Sequence, residues 1–293
     1  MATTKRRTNP LLFVILGTLI LLACAGLIMY AIGYRYITTD EVKFKGFVYD
    51  GQPVSGTVSY SDGTKGKFKK DKTSANGTVT YSTGDVYEGT FNGVMRHGKG
   101  KITYKSSGDV YEGDFVNDVR TGNAVITFGN GDRYEGEILN GQMHGFGMYS
   151  FADGAWYRGE FSENMKNGTG EYHWSDGTYY FGSYKDDKRH GNEIVTVSLT
   201  DGMMYSGKNK LVFACGDEYI GDFLDDARTG NGTYTWANGE KYTGSFVNGV
   251  LDGMGTYSFS GGAVYTGAFS NGTIVDTEAT VTAPVVQDTN KNE

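Results

Sequence analysis

Apolar and polar positions alternate with a period of two along most of the chain. In one representative stretch, Tyr87, Gly89 and Phe91 fall on one side of an extended strand. The polar Glu88 and Thr90 fall on the other side, which is the pattern of a half-buried β-strand. A second strand with glycine and aromatic positions in the same phase follows, and Asn-Gly or Asp-Gly pairs separate many of the strands. Because such pairs favour tight hairpin turns, the pattern predicts β-hairpins with one aromatic and glycine face and one polar face.

The strand pair repeats along the chain with a period of 23 residues. A Tyr-x-Gly element marks the units at Tyr87, Tyr111, Tyr134, Tyr157, Tyr180, Tyr205, Tyr219, Tyr242 and Tyr265. With two degenerate copies before Tyr87, residues 44–272 hold about eleven units, one of them shortened at 205–218. Glycine, at 45 of 293 residues, disfavours helices because each interior helical glycine costs about 1 kcal/mol relative to alanine. We therefore predict an all-β fold, an elongated single-sheet antiparallel meander of stacked hairpin repeats.

A charge-free run at residues 11–34 precedes the repeats and predicts one transmembrane helix. A helix of that length reaches about 36 Å, which exceeds the hydrocarbon core of about 30 Å. Residues 1–10 are then a basic N-terminal segment and residues 35–43 a linker. Basic residues lie mainly before the span, which favours a cytoplasmic N-terminus and extracytoplasmic repeats. The run Leu21 to Cys24 resembles a bacterial lipoprotein cleavage box, so lipidation of Cys24 is an alternative.

Composition and spacing disfavour several functional classes. The formal net charge of −7 does not fit a nucleic-acid-binding protein, and two cysteines do not form a disulfide scaffold or a multi-cysteine zinc site. His97, His144 and His190 recur at intervals of two repeats, which separates them by about 19 Å in a sheet, so they cannot share one metal ion. His173 is expected on the polar face, in contact with solvent. We expect no catalytic residues, no metal and no cofactor.

The repeated motif resembles a known family. Gly84 to Phe91 followed by His97 to Gly100 reads Gly-Asp-x-Tyr-x-Gly-x-Phe and then His-Gly-x-Gly, and residues 131–147 carry a closely similar pattern. This resembles the MORN (membrane occupation and recognition nexus) repeat, and the resemblance covers roughly residues 44–272. It implies a ribbon of β-hairpins that acts as a scaffold, dimeriser or tether, often at membranes. No head-group-binding residues can be carried over from the family.

The asymmetry of the two faces suggests a function. A continuous aromatic face cannot be left entirely in water, since large exposed apolar patches usually mark interaction surfaces. We therefore expect a membrane-anchored, non-enzymatic scaffold that binds a protein partner or forms a homodimer. The expected contact residues are Tyr87, Phe91, Tyr111, Phe115, Tyr134, Tyr157, Phe161, Tyr242 and Phe246.

A surface module for cell-wall glycan or for lipid is the alternative function. The aromatic run Tyr179 to Phe181 is similar to the repeats of choline- and glucan-binding proteins. Contact with an anionic lipid or wall polymer is a hypothesis for the one basic cluster, and a solvated strand face is the other interpretation. The cluster comprises Lys65, Lys67, Lys69, Lys70 and Lys72. At the C-terminus, residues 273–293 are expected to provide a capping strand through Thr280 and Val281 and then a disordered tail.

Overall fold

The computed structural model describes residues 10–198, 204–275 and 280–282. The chain divides into two compact units, residues 1–119 and residues 120–293. Strand pairing within each unit is antiparallel, and most strands pair with the next strand in the chain. The all-β fold class and the meander of hairpins expected from the sequence are confirmed.

The first unit contains one helix and eight strands. They are α1 (Pro10–Ala31), β1 (Tyr34–Thr38), β2 (Val42–Tyr49), β3 (Gln52–Tyr60), β4 (Lys65–Lys70), β5 (Asn76–Tyr81), β6 (Val86–Asn92), β7 (Met95–Thr103) and β8 (Val110–Val116). Each strand from β1 to β7 pairs with its successor. Strand β1 lies within the segment that the sequence assigned to a linker, and Gly33, whose φ of 92° suits the end of a helix, lies between α1 and β1.

Helix α1 is apolar throughout, and its side chains from Val14 onward are exposed. It is the one helix of the described chain that is long and apolar enough to cross a membrane, although a signal sequence would have the same properties.

The second unit consists of strands only, beginning with β9 at the unit boundary. They are β9 (Val119–Thr127), β10 (Arg133–Leu139), β11 (Gln142–Ser150), β12 (Trp156–Ser162), β13 (Met165–His173), β14 (Tyr179–Lys185), β15 (Lys188–Arg189), β16 (Val195–Ser198), β17 (Met204–Gly207), β18 (Lys210–Val212), β19 (Glu218–Leu224), β20 (Ala227–Thr235), β21 (Lys241–Val247), β22 (Val250–Ser258), β23 (Val264–Ser270), β24 (Thr273–Ile274) and β25 (Thr280–Thr282). Strand β25 pairs with β23 through Tyr265 and Val281.

One hairpin motif accounts for the Tyr-x-Gly repeat. In the β6–β7 hairpin, Gly89 lies opposite Gly100, and the ladder shifts register between Gly89 and Phe91. The ring of Tyr87 covers this glycine pair, because a Cβ atom on Gly100 would lie 2.4 Å from the ring. The Tyr87 hydroxyl donates to the carbonyl of Thr90 at 2.9 Å, inside the irregular stretch. Each tyrosine therefore both fills the hollow over the glycines and satisfies a backbone carbonyl.

The same tyrosine hydrogen bond recurs through both units. The hydroxyls of Tyr87, Tyr111, Tyr134, Tyr157, Tyr180, Tyr219, Tyr242 and Tyr265 each donate to the carbonyl three residues later, at 2.8–3.2 Å. Apart from the β6–β7 turn, where Gly93 has a positive φ and Val94 does not, the turns at the other end of these hairpins have positive φ at both central residues, as at Asn140 (51°) and Gly141 (82°). This is the backbone that Asn-Gly favours.

A hairpin leaves the meander between β15 and β18. Strands β16 and β17 form a separate two-stranded sheet, and β14 pairs with β18 instead. Val195 and Val197 pack against Phe181 on the polar face. The sequence counted Tyr205 as the start of a shortened unit of the ribbon, but its strand β17 pairs with β16. The Tyr-x-Gly motif persists here outside the main sheet, and its hydroxyl donates to the carbonyl of Lys208.

Asn209 closes the gap that this excursion leaves in the sheet. Its side chain is fully buried. Its Oδ1 accepts a hydrogen bond from the Ser183 N–H, and its Nδ2 donates to the Gly191 carbonyl, both at 2.9 Å. The side-chain amide thus satisfies backbone groups that a regular strand would otherwise pair.

Candidate functional site

The nine aromatic residues expected to contact a partner form the core instead of an open surface. Tyr87, Phe91, Tyr111, Phe115, Tyr134, Tyr157, Phe161, Tyr242 and Phe246 are each at most 5% exposed. Their rings meet edge to face, as between Tyr157 and Phe161 at 5.1 Å and 87°, an arrangement that aromatic pairs favour. Contact of these residues with a partner stays a prediction, and their burial argues against it. We call these rings, together with the equally buried Tyr180 and Tyr219, the inner aromatic row.

A second set of rings on the same face is half-exposed, and we call it the outer aromatic row. In the second unit it comprises Phe128, Tyr149, Phe151, Tyr172, Trp174, Phe213, Tyr234, Trp236, Tyr257 and Phe259. Consecutive rings touch in two runs, with centroid distances of 4.4–5.8 Å up to Trp174 and 4.7–6.1 Å from Phe213 onward. Each run is therefore a continuous aromatic strip open to solvent.

Cationic side chains cover the inner row and separate it from solvent. The Arg228 guanidinium lies 5.7 Å from the ring centroid of Tyr219 and 5.0 Å from that of Tyr234. Its Nη2 donates to the Gly249 carbonyl at 2.8 Å, which fixes it in the next turn. Arg189 and Lys166 lie over rings of their own repeats in the same way. Lys166 and Arg228 stand two residues before a Gly-x-Gly element, and Arg189 stands two residues before Gly191. Alternation alone does not identify these cations.

Carboxylates flank the outer row. Asp132 accepts from the hydroxyl of Tyr149 at 2.8 Å, Asp217 from Tyr234 at 2.5 Å, and Glu240 from Tyr257 at 2.7 Å. The hydrogen bond from the Ala152 backbone N–H lowers the pKa of Asp132, and the tyrosine hydroxyls lower the pKa of Asp217 and of Glu240. Burial and the bond to Asp217 raise the pKa of Tyr234 to about 12. Near neutral pH the strip is therefore flanked by negative charge.

The polar face carries an aromatic cluster next to the β16–β17 hairpin. His173 lies directly opposite Trp156 and Tyr179 on the neighbouring strands. It stacks on Trp156 at 4.1 Å and 12° and on Tyr179 at 5.3 Å and 20°. Its Nε2 lies 2.7 Å from Oε1 of Glu171, which is only 2% exposed. His173 lies on the polar face as expected and its side chain is 30% exposed, but it is held between two rings and a buried carboxylate.

The lysine cluster is divided between the two faces. Lys65, Lys67 and Lys69 alternate along β4 and are exposed on the polar face. Lys70 falls on the opposite face, and the Lys72 ammonium lies 5.4 Å from the ring centroid of Tyr49. Contact of this cluster with an anionic surface stays a prediction.

Among the described residues we find neither a candidate metal site nor a disulfide. Within the described chain, no group of three or more His, Cys, Asp or Glu side chains could hold a metal ion. Cys24 and Cys215 are free and exposed. Lipidation of Cys24 stays a prediction.

The fold defines a class of protein, the β-hairpin repeat proteins. The MORN repeat family matches residues 87–108, 111–133, 134–156, 157–179, 180–192, 219–241 and 242–264, just over half of the chain. The chain belongs to the MORN repeat family. The degenerate copies before residue 87 lie outside these matches. No curated protein matches the chain.

Several solved structures share a local likeness. The TCP10 domain of Danio rerio CPAP in complex with a peptide of Danio rerio STIL is 16% identical, with 75% of this chain and 90% of that chain covered and a TM-score of 0.31. The SAS-4 TCP domain of Drosophila melanogaster in complex with a proline-rich motif of Ana2 is 15% identical, with 73% and 90% covered and a TM-score of 0.25. A streptogramin B lyase is 14% identical, with 81% and 90% covered and a TM-score of 0.17. These low scores assign neither a partner nor an activity to this chain.

Proposed function

We propose that the protein is a membrane-anchored, non-enzymatic repeat scaffold that binds a protein segment along the outer aromatic row. The observation that carries this proposal is the pair of continuous, half-exposed aromatic strips flanked by carboxylates. Aromatic residues are enriched at protein interfaces, and Trp and Tyr are frequent hot spots. The inner row and the clamping cations provide a rigid base under the strips, which limits the entropy lost on binding.

The charge around the strips indicates the chemistry of the partner. Asp217 and Glu240 remain ionised near neutral pH because their pKa values are lowered. The arginines of this face are already held by neighbouring groups, as Arg228 is by the Gly249 carbonyl. A segment that places apolar side chains on the rings and Lys or Arg beside the carboxylates is complementary to this surface.

A displayed peptide library selected against the full chain in detergent tests this proposal. We expect enrichment of peptides that combine basic and apolar residues. Because a buried hot-spot residue contributes 2 kcal/mol or more, Trp236→Ala should weaken the selected peptides about 30-fold. Trp156→Ala, on the opposite face, is the matched control and should leave affinity unchanged. Selection of acidic peptides would refute the proposal, and so would equal affinity of the selected peptides for Trp236→Ala and the unmodified chain. Chemical crosslinking of the chain to itself would identify a second copy as the partner.

A glycan-binding module is the second candidate, supported by the aromatic cluster on the polar face. Trp156, His173 and Tyr179 lie side by side across three strands, and aromatic rings with one apolar and one polar part suit amphipathic ligands. This candidate would be favoured if the chain bound purified cell-wall polymer, Trp156→Ala abolished that binding and Trp236→Ala preserved it. The reverse dependence would eliminate it.

We further propose that α1 anchors the chain with the repeats outside the cytoplasm. The support is the apolar, exposed α1 and the basic residues before it. Protease treatment of intact cells carrying a C-terminal tag should remove the tagged repeats. If only lysed cells lose the tag, the repeats face the cytoplasm and the proposed orientation is wrong.

A further inference from the structure

An open pocket lies on the aromatic face of the first unit. It has a volume of about 240 Å³ and is lined by Tyr60, Tyr81, Ile102 and Tyr104, among others. The hydroxyl oxygens of Tyr60 and Tyr81 are buried, whereas both residues as a whole are half-exposed. These two tyrosines therefore present ring carbon to the pocket, which gives it aromatic walls.

The β19–β20 hairpin of the second unit shows which side chain fills the corresponding place there. Tyr234 occupies the same position in its repeat as Ile102 does in the first unit. The ring centroid of Tyr234 lies 5.0 Å from the Arg228 guanidinium, and the hydroxyl donates to Asp217 at 2.5 Å. In the second unit, a tyrosine ring therefore lies between a cation and a carboxylate.

The first unit keeps the cation and the carboxylate but not the tyrosine. Arg96 and Asp85 occupy the repeat positions of Arg228 and Asp217, and both line the pocket together with Ile102. Each carboxylate accepts a hydrogen bond from the backbone N–H twenty residues later, at 2.8 Å for Asp85 and 2.9 Å for Asp217. Isoleucine has no hydroxyl and is smaller than tyrosine. Asp85 therefore lacks the tyrosine hydrogen bond, and a hollow remains beside it.

Two carboxylates give the pocket a negative charge. Asp62 and Asp85 both line it, and among the described residues neither has an ion-pair partner within 4.0 Å. A hydrogen bond from the Thr64 backbone N–H lowers the pKa of Asp62, so this carboxylate is ionised near neutral pH. The Arg96 guanidinium already has its own carboxylate, because its Nε donates to Oδ1 of Asp118 at 2.9 Å. The pocket therefore favours a ligand with positive charge over an anionic one.

We propose that this pocket binds a small aromatic amine, with the ring beside Arg96 and the ammonium group beside Asp85. The ring takes the place of the missing tyrosine ring, where contact between a guanidinium and an aromatic face is favourable. The ring of Tyr104 and the side chain of Ile102 supply apolar contacts. The ammonium group donates to Asp85 and lies on the same side as Asp62. This site is separate from the outer aromatic row and from α1, so it gives the first unit a binding function of its own.

Equilibrium dialysis of the full chain in detergent tests the inference, with detergent micelles alone as the blank. Labelled 2-phenylethylamine is the probe, and 2-phenylethanol and 3-phenylpropionate are analogues of similar shape with a neutral and a negative head group. We expect one saturable site for the amine, weaker binding of the alcohol and the weakest binding of the carboxylate, because a charge-assisted hydrogen bond is about twice as strong as a neutral one. Equal or tighter binding of 3-phenylpropionate, or no saturable binding of the amine, overturns the inference.

Variants of the pocket provide the second measurement. Ile102→Tyr introduces the residue found in the second unit and should abolish amine binding, because the new ring fills the hollow and its hydroxyl reaches Asp85. Hydrogen exchange of the β6–β7 hairpin shows whether this variant is folded. Asp85→Asn should weaken amine binding at least about tenfold, since it removes a charge-assisted hydrogen bond. Glu88→Gln removes an exposed carboxylate from the polar face of β6. It is the matched control and should leave the affinity unchanged.

Tyr234→Ile is the reciprocal variant in the second unit. It removes the ring between Arg228 and Asp217 and should create a second site, so the number of amine molecules bound per chain should rise from one to two. If this variant binds no more amine than the unmodified chain, the inference is overturned. The same holds if Ile102→Tyr binds the amine as before while its hairpin stays protected from exchange. If that hairpin exchanges rapidly, Asp85→Asn decides, and an unchanged affinity of that variant overturns the inference.

Discussion

Replacement of Asn209 by Ala tests whether a side chain completes the sheet where the β16–β17 hairpin leaves it. The Asn209 side chain is fully buried and serves the Ser183 N–H and the Gly191 carbonyl, each at 2.9 Å. Alanine leaves both backbone groups without this partner. The Gly191 carbonyl keeps the hydrogen bond from the Phe223 N–H at 2.9 Å, so the Ser183 N–H is the group left unsatisfied. A buried unsatisfied group costs about 1–3 kcal/mol, and we take about 2 kcal/mol as the expected loss.

Hydrogen exchange measured by mass spectrometry is the suitable assay, because repeat proteins open locally and a single unfolding free energy is not well defined for them. Peptides that cover residues 179–191 should exchange about 30-fold faster in Asn209→Ala, since about 1.4 kcal/mol corresponds to a factor of ten. Asn231→Ala, at an exposed position on β20, is the matched control and should exchange like the unmodified chain.

Asn209→Asp sharpens the test through its pH dependence. Ionised aspartate would place a negative oxygen against the Gly191 carbonyl, whereas the protonated acid can donate there as the amide does. Burial beside a carbonyl should raise the folded-state pKa above the unfolded value of about 3.9. The variant should therefore regain protection as the pH falls through the folded-state pKa. The proposed role of this side chain would be refuted if hydrogen exchange in Asn209→Asp did not depend on pH in this way and if Asn209→Ala exchanged at the rate of the unmodified chain.

Two further predictions follow from the repeat motif and the acidic rim. Gly100→Ala should disrupt its hairpin because the added Cβ would lie 2.4 Å from the Tyr87 ring. Gly261→Ala should leave its hairpin intact because there is open space around Gly261. The hydrogen-exchange rates of the two hairpins test this difference. The pKa of Asp217 is lowered, so its bond with Tyr234 stabilises the fold above the unfolded pKa and is lost as the pH falls through the folded pKa. Tyr234→Phe should raise the pKa of Asp217 in a carboxyl NMR titration, and an unchanged value would contradict this assignment.

The sequence predicted which face is aromatic but not which rings a partner can reach. The inner and outer rows share the two-residue period, so alternation alone places Tyr134 and Tyr149 on the same side. They differ in what lies beside them. Tyr134 precedes Gly136, and its ring lies over that glycine and over Gly147 across the strand. Tyr149 lies nearer the turn, where the hydroxyl reaches Asp132 and the ring stays half-exposed. The position of each aromatic residue relative to the paired glycines along the strand thus decides whether its ring is buried or half-exposed.

The strand partner of the shortened unit escaped prediction for a different reason. Tyr205 retains its motif, but its strand β17 pairs with β16, and Asn209 instead contacts Ser183, 26 residues earlier in the chain. Lys45 and Lys67 become neighbours across β3 only once the pairing of three strands is known. Local patterns specify hairpins, whereas sites formed across strands need the register.

Comparison of the internal repeats separates stabilising positions from candidate binding positions. The tyrosine, the two glycines and the turn residues recur because every hairpin needs the same buried ring and the same backbone geometry. Positions on the polar face have no such requirement, and there the copies differ most: lysines at Lys43 and Lys67, carboxylates at Glu112, and an aromatic cluster around His173. Because a position that varies among otherwise similar hairpins is free of the packing constraint, we expect binding specificity to reside in these departures and in the rim of the outer row, and not in the motif that defines the family.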